Sequence, residues 1–271
     1  MKKHQISEQI LSKLIDTKDH LVAQFNTSKN TIGYFYIDSL LPDDLAKELG
    51  EKFPKPSEMV LKKSLRENKY IAAQMNLYDP LLEDIIFAFQ DERIVQLIAE
   101  ICNINEAFPD EHLYAGGISL MGKNQFLNPH LDNSHDKNRE KWRVLNLLYY
   151  VSTDWQLKNG GNLELWPEGL SGKPITIESK FNRLVVMATH QNSLHSVSPI
   201  EVDAFRKCIS NYYFSSKPLE DSDQFHVTSF RGRPEAKFTD ILLRTDTWLR
   251  MKVRKFFKKG VVENPHYYKK K

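Results

Sequence analysis

The sequence predicts an α+β chain with a mainly β core, a sandwich or jelly roll braced by helices at both ends. Two observations predict it. From about Tyr114 onward, the runs GISLM, RVLNLLYYVS, NLELW, PITIE, RLVVMA, LHSVSPI and RKCISNYYFS follow one another closely, punctuated by Gly, Pro and Asn. Short stretches rich in β-branched and aromatic residues between such breakers are strands joined by turns. On either side of them, apolar residues recur at helical spacing instead. The 271 residues are 41% hydrophobic, enough for one sizeable buried core. No internal repeat or low-complexity linker divides them. A single domain over 1–271 is expected, with helical support and strand pieces in 1–110, the β core in 111–216 and a basic helical extension in 217–271.

Taken in order, Ile6, Ile10, Leu14, Leu21 and Phe25 mark a first helix, and TIGYFYID reads as a strand. Pro42-Asp43-Asp44 ahead of LAKELGEKF reads as a helix opened by proline and acids, since proline has no N–H to leave unpaired in the first turn and acids suit the positive helix end. Leu81 to Cys102, starting after Pro80, carries the strongest amphipathic helical signal of the chain. After Lys217 a polar connector leads to PEAKFTDILLRTDTWLRMKVRKFF, a long helical pattern with a basic face.

Composition excludes several classes. The longest apolar runs, such as Ile85 to Phe89, are five residues, against roughly 20 for a membrane span. No apolar signal segment follows the basic N-terminus, so a cytoplasmic location is expected. Cys102 and Cys208 are the only cysteines, too few for a disulfide framework or a multi-thiolate metal site. The net charge of +3 is uneven: nine Lys/Arg from Arg250 to Lys271 face Glu263 alone, leaving −5 for the remainder. That tail is a candidate contact for an anionic partner, nucleic acid, phospholipid or acidic substrate; a plain solvated terminus is the alternative.

Metal chemistry here must use histidine and carboxylates. His130-Leu131-Asp132 is the only His-x-Asp of the chain. On a strand, residues i and i+2 project from one face, so an imidazole and a carboxylate there can share an ion. His195 follows 65 residues later in an apolar stretch. Two histidines and one carboxylate have the composition of the facial triad that holds non-haem Fe(II) and leaves positions open for catalysis. Arg206 stands eleven residues further on, at the head of a strand. A planar guanidinium suits the distal carboxylate of a keto-dicarboxylate cosubstrate.

The stretches WRVLNLLYYVSTDWQLKNGGNLELWPEG, KFNRLVVMATHQNSLHSVSPI and FRKCISNYYF resemble the catalytic core of the prolyl 4-hydroxylase-like branch of the Fe(II)/2-oxoglutarate-dependent dioxygenases. The resemblance spans about residues 115 to 216 and holds its motifs in order. It implies a double-stranded β-helix, with Fe(II) on His130, Asp132 and His195 and 2-oxoglutarate anchored by Arg206. It implies further that Tyr150 touches the same distal carboxylate, that Ser210 assists, and that Leu120 and Leu127 occupy cosubstrate-facing positions. O2 would be consumed, with ascorbate a candidate additional reductant. Because Asp132 is present, hydroxylation is expected rather than halogenation. The substrate would be a prolyl peptide, an amino acid, or a sugar- or lipid-linked biosynthetic intermediate. The alternatives are a non-catalytic metal-binding jelly roll of cupin type, or a zinc hydrolase, which would leave Arg206 without a purpose. Oligomeric state is not legible.

Other residues carry plainer expectations. Asn133, His135 and Asp136 form a polar loop beside the His-x-Asp, and Gly160-Gly161 a tight turn. Trp142, Trp155 and Trp166 read as packing or rim aromatics, and Cys208 as a small buried residue. His226, Arg231 and Arg233 lie in a connector, with an anionic substrate site as the alternative.

Overall fold

The computed structural model of the chain describes residues 3–114, 116–256 and 268–269. Its first part contains α1 (Lys3–Ser28), β1 (Tyr34–Asp38), α2 (Asp43–Glu51), β2 (Val60–Lys63), β3 (Glu67–Ala72), α3 (Pro80–Ala88) and α4 (Glu92–Ile101). The strands β4 (Phe108–Pro109), β5 (Gly117–Met121), β6 (Phe126–Leu131), β7 (Trp142–Tyr150), β8 (Leu163–Leu165) and β9 (Ile175–Ile177) follow. Then come β10 (Arg183–Ala188), β11 (His195–Val197), β12 (Arg206–Ser215), β13 (Ser229–Phe230) and α5 (Lys237–Phe256).

One antiparallel sheet curls on itself in the order β1-β10-β7-β12-β5-β3-β6-β11-β8-β9. β3 carries it from one layer to the other, pairing with β5 through Tyr70 to Ala72 and with β6 through Glu67 and Asn68. The result is the double-stranded β-helix. Alternation along each strand then separates two cores. Leu147 and Tyr149 of β7, Val186 of β10 and Ile209 of β12 face the helices, where Ile6, Ile10, Leu14, Leu21 and Phe25 of α1 meet them. Leu148, Tyr150, Val185, Met187 and Cys208 point between the layers toward Leu163, Leu165 and Ile177.

Two segments depart from the sequence pattern. Leu81 to Cys102 forms two helices, because the Asp91 side chain accepts from the backbone N–H of Arg93 and starts α4 afresh. A short side chain competing for backbone hydrogen bonds is a helix start rather than a helix interior. Residues 60–72, inside the part expected to be largely helical, form the β2-β3 hairpin. Its strand state is set by pairing with β5 and β6, which no local propensity encodes.

Gly160 and Gly161 both have left-handed φ, +73° and +68°, and a Cβ on Gly160 would lie 1.9 Å from the Pro199 carbonyl oxygen. Trp155 and Trp166 are packing residues, each with its indole N–H satisfied, by the Gly160 carbonyl and the Ser196 hydroxyl. Cys102 and Cys208 are free and buried. Among the described residues no helix is long and apolar enough to cross a membrane. Of the basic tail, Lys258, Lys259, Lys270 and Lys271, with Glu263, lie outside the described residues.

Candidate metal centre

The pairing of β6 with β11 sets His130 directly opposite His195, with ring centroids 4.2 Å apart. The register then slips, His195 pairing with His130 but Val197 with Leu127, so β6 carries one extra residue there. Pro129 falls in that bulge, where a residue without an N–H leaves no donor unpaired. Phe230 of β13 pairs with His130 on its other side and stacks on its ring at 5.0 Å.

Each imidazole is oriented by its own chain. His130 Nδ1 donates to the Asn128 carbonyl and His195 Nδ1 to the Ser193 carbonyl, both at 2.9 Å. Because a carbonyl only accepts, Nδ1 holds a hydrogen, which in the neutral ring leaves Nε2 as the ligand nitrogen. The two Nε2 atoms lie 3.6 and 3.7 Å from the carboxylate oxygens of Asp132, too far for hydrogen bonds. Ligand atoms of all three residues fall within 4.8 Å of one another. Asp132 Oδ2 is buried with no partner.

Protonation agrees with this geometry. Burial pushes His195 down to about 4, helped by the nearby His130, so it is neutral at pH 7. Burial works against the Asp132 charge, yet His130, Arg143 and His195 together hold its carboxyl well below the usual range. Two bare imidazole nitrogens and an orphaned carboxylate oxygen directed at one point suit a divalent cation with open positions, and Fe(II) fits this donor set.

Arg206 begins β12 and is 2% exposed. Its Nε donates to Ser179 Oγ at 3.1 Å, Nη1 lies 3.8 Å from Met121 Sδ, and the guanidinium sits 4.7 Å from the centre of the Tyr150 ring. No acid pairs with it among the described residues, so an anionic ligand would complete it. Tyr150 Oη is buried, forms no well-shaped hydrogen bond and has Ser179 and Arg206 as polar neighbours. Burial pushes its hydroxyl up to about 12, with Arg206 opposing, so it remains a donor. Ser210 lies on the same inward face, opposite Leu148, with Oγ 3.8 Å from Cys208 Sγ. Four residues of strand, about 13 Å, separate it from Arg206.

The expectation for Leu120 is corrected by one residue. β12 pairs Arg206 with Met121 and Cys208 with Ser119, so those two face the cosubstrate side while Leu120 packs into the helix-side core. A one-residue slip turns every side chain to the other face. Leu127 packs with Met121 and Val197.

Arg143 and Asn146 went unnoticed in the sequence. Arg143 Nη1 stands 3.6 Å from Asp132 Oδ1, its guanidinium lies over the Tyr212 ring at 4.2 Å, and Nε and Nη2 are buried without partners. Asn146, opposite Tyr212, has a buried unpartnered Oδ1. The available signal was polarity: these are the only polar side chains, tyrosines aside, after Trp142 in the otherwise apolar WRVLNLLYY.

The surrounding loop and connector are largely structural. Asn133 donates to the His135 carbonyl and Asp136 accepts from Glu140 and Lys141 N–H. The buried His135 ring lies 4.6 Å from Phe225, and burial with Arg143 and Arg139 pushes it down to about 3. Arg231 pairs with Asp240 and Arg233 with Glu164, while the His226 and Ser134 backbones bond.

Residues 116–215 match the family model described as the 2OG-Fe(II) oxygenase superfamily. The chain is 30% identical over 104 residues to Egl nine homolog 1 of Rattus norvegicus, covering 38% of this chain but only 29% of that protein. Among solved structures, a Pseudomonas putida prolyl-4-hydroxylase is similar with a TM-score of 0.54 at 17% identity, covering 72% of this chain and 98% of that one. A prolyl 4-hydroxylase of Phytophthora capsici has the same TM-score at 19% identity, covering 94% of this chain and 80% of that one. These two likenesses are of fold.

Proposed function

We propose that the chain is an Fe(II)- and 2-oxoglutarate-dependent dioxygenase that hydroxylates an aliphatic carbon. Its substrate is a prolyl peptide, an amino acid, or a sugar- or lipid-linked intermediate. The observation that carries this reading is the pair of pre-oriented imidazoles and the orphaned Asp132 oxygen beside an acid-free, buried Arg206. A metal-binding protein without catalysis has no use for the second half of that arrangement.

When bound, Fe(II) with 2-oxoglutarate and O2 supplies the oxidising power, so that substrate R–H becomes R–OH while 2-oxoglutarate becomes succinate and CO2. His130, Asp132 and His195 hold the metal on one side and leave the other open. Arg206 receives the distal carboxylate of 2-oxoglutarate with a two-pronged set of donors, and the Tyr150 hydroxyl, kept protonated, adds a third. Ser210 flanks the cosubstrate between Arg206 and the metal. Arg143, with two unsatisfied N–H groups beside Asp132, offers them to an oxygen of the substrate. Leu148, Met187 and Leu165 keep the space between the layers dry, which strengthens each of these polar contacts. The two free cysteines support a cytoplasmic setting.

The test is oxygen-dependent succinate release across a panel of prolyl peptides, free amino acids and sugar- or lipid-linked compounds, with Fe(II) added to anaerobically purified protein. Succinate coupled to substrate, and lost in Asp132→Ala, is expected. Metal binding without any succinate from any substrate would favour the non-catalytic jelly roll instead.

A further inference from the structure

α5 is turned inside out. At 100° per residue, Asp240, Leu243, Asp246, Thr247 and Arg250 share one side of the helix, and this is the side against the protein. Of these only Leu243 is apolar and buried. The remaining contacts are ionic: Arg231 grips Asp240, Arg66 and Arg250 both pair with Asp246, and Arg250 also donates to the Thr228 carbonyl. The opposite side carries Phe238, Ile241, Leu242, Trp248, Leu249 and Val253. All are exposed, Phe238 by 74%, Ile241 by 60% and Trp248 by 58%. They span an arc about 140° wide along the length of the helix, interrupted by Thr245 and Lys252. Single exposed apolar side chains are ordinary, but such an arc on a helix marks a contact surface.

The charges around that stripe have one sign. Lys237, Arg244 and Lys252 are exposed along it, and the Lys252 ammonium lies 5.4 Å from the Trp248 ring. The two acids of the helix are turned inward and consumed in ion pairs. A second copy packed on this face about a twofold axis would set cation against cation with no acid to answer. The helix carries too many charges to enter a bilayer lengthwise, and it is not apolar enough to span one. An apolar face with Phe, Trp and Leu, flanked on one edge by Lys237 and Arg244 and with both acids of the helix turned into ion pairs, is the pattern of a helix lying in the plane of an anionic lipid surface. Residues 1–236, with a net charge of −5, are not themselves drawn to such a surface.

We propose that α5 is an interfacial docking helix that seats the chain on an anionic phospholipid surface through its Phe238-to-Val253 stripe and its flanking cations. α5 packs on β13, and β13 pairs with the His130 strand, so the helix and one short strand stand between the docking face and the strand of the candidate metal centre. The inference stands apart from the reaction assigned above, since it concerns only where the chain sits.

The experiment uses the full chain and sedimentation with vesicles of phosphatidylcholine alone or mixed with phosphatidylserine. Trp142, Trp155 and Trp166 are wholly or partly buried, so a shift of tryptophan emission on binding reports Trp248. Expected are binding to the mixed vesicles with a blue shift, at least tenfold weaker binding to phosphatidylcholine, and weakening as salt rises. Each cation near such a surface contributes about fivefold, so Arg244→Glu with Lys252→Glu should lower binding by about 100-fold or more. Phe238→Asp with Leu249→Asp should abolish it. All four positions are exposed, and unchanged metal binding at His130 confirms folding of the variants. No blue shift in the unaltered chain, or equal binding to both vesicle types, overturns the proposal. So does a concentration-dependent dimer that Phe238→Asp with Leu249→Asp dissolves while vesicles are ignored, and so does a partner protein competing at this face without lipid binding.

Discussion

Replacing Arg206 with glutamine separates cosubstrate anchoring from metal binding. Arg206 is 2% exposed and has Ser179 Oγ, a methionine sulfur and the Tyr150 ring as neighbours, none of them anionic. The glutamine amide retains hydrogen bonding to Ser179 but removes the charge and the fork. Two charge-assisted hydrogen bonds of about 1.5–3 kcal/mol each are at stake, and truncating one side of a buried charge pair costs about 2–5 kcal/mol. At 1.4 kcal/mol per decade the KM for 2-oxoglutarate should rise about 30-fold to several thousand-fold. Arg206→Lys, which keeps the charge without the fork, should fall between. The assay is succinate formation against 2-oxoglutarate concentration, with Fe(II) content measured on the same preparations. A KM within threefold of the unaltered protein, at full metal content, would refute the assignment of Arg206.

His130→Ala and Asp132→Ala should each lose Fe(II) binding by calorimetry and substrate-coupled succinate together; retention of either activity at full rate contradicts the metal site. Arg143→Gln should raise the KM for substrate by about tenfold or more while the KM for 2-oxoglutarate stays put, and a change in the second alone would place Arg143 on the cosubstrate instead. On acidification the metal-free protein should lose stability from about pH 6.5 down to about 3. His195 and His135 sit at about 4 and 3 when folded, below the ordinary histidine value, so the unfolded chain takes up protons first and gains. His135→Gln should flatten that fall in Tm, and a slope unchanged in the variant would mean His135 is not the source. Gly160→Ala should lower stability by at least about 2 kcal/mol, read as Tm, because both the left-handed φ and the Pro199 carbonyl oppose a Cβ.

The His130–Asp132 half of the candidate site was legible because its spacing is local in sequence, whereas His195 reaches it only through the pairing of β11 with β6. The spacing of His130 and Asp132 puts both on one strand face whatever the sheet does, and Arg206 announces itself as a guanidinium heading a strand. Arg143 was not, since its meaning depends on β7 and on the end of β6 meeting at Asp132. Leu120 was assigned to the wrong face because only the pairing with β12 fixes which alternate residues look inward. The β2-β3 hairpin was not singled out within a part read as helical support with strand pieces, because its strand state is supplied by partners 46 to 60 residues away.

The sequence alone picked out His130, Asp132 and His195 as candidate ligands, the β-rich middle and the shortage of thiols, because these follow from residue type and from periods of two and of 3.6. Tertiary structure alone decided that His130 and His195 stand opposite each other, each Nε2 near Asp132, and that β3 joins the layers. It also decided that α5 turns its apolar side to solvent. A helical pattern shows that a stripe exists; which way it faces depends on where Arg66, Arg231 and Thr228 stand to hold its polar side.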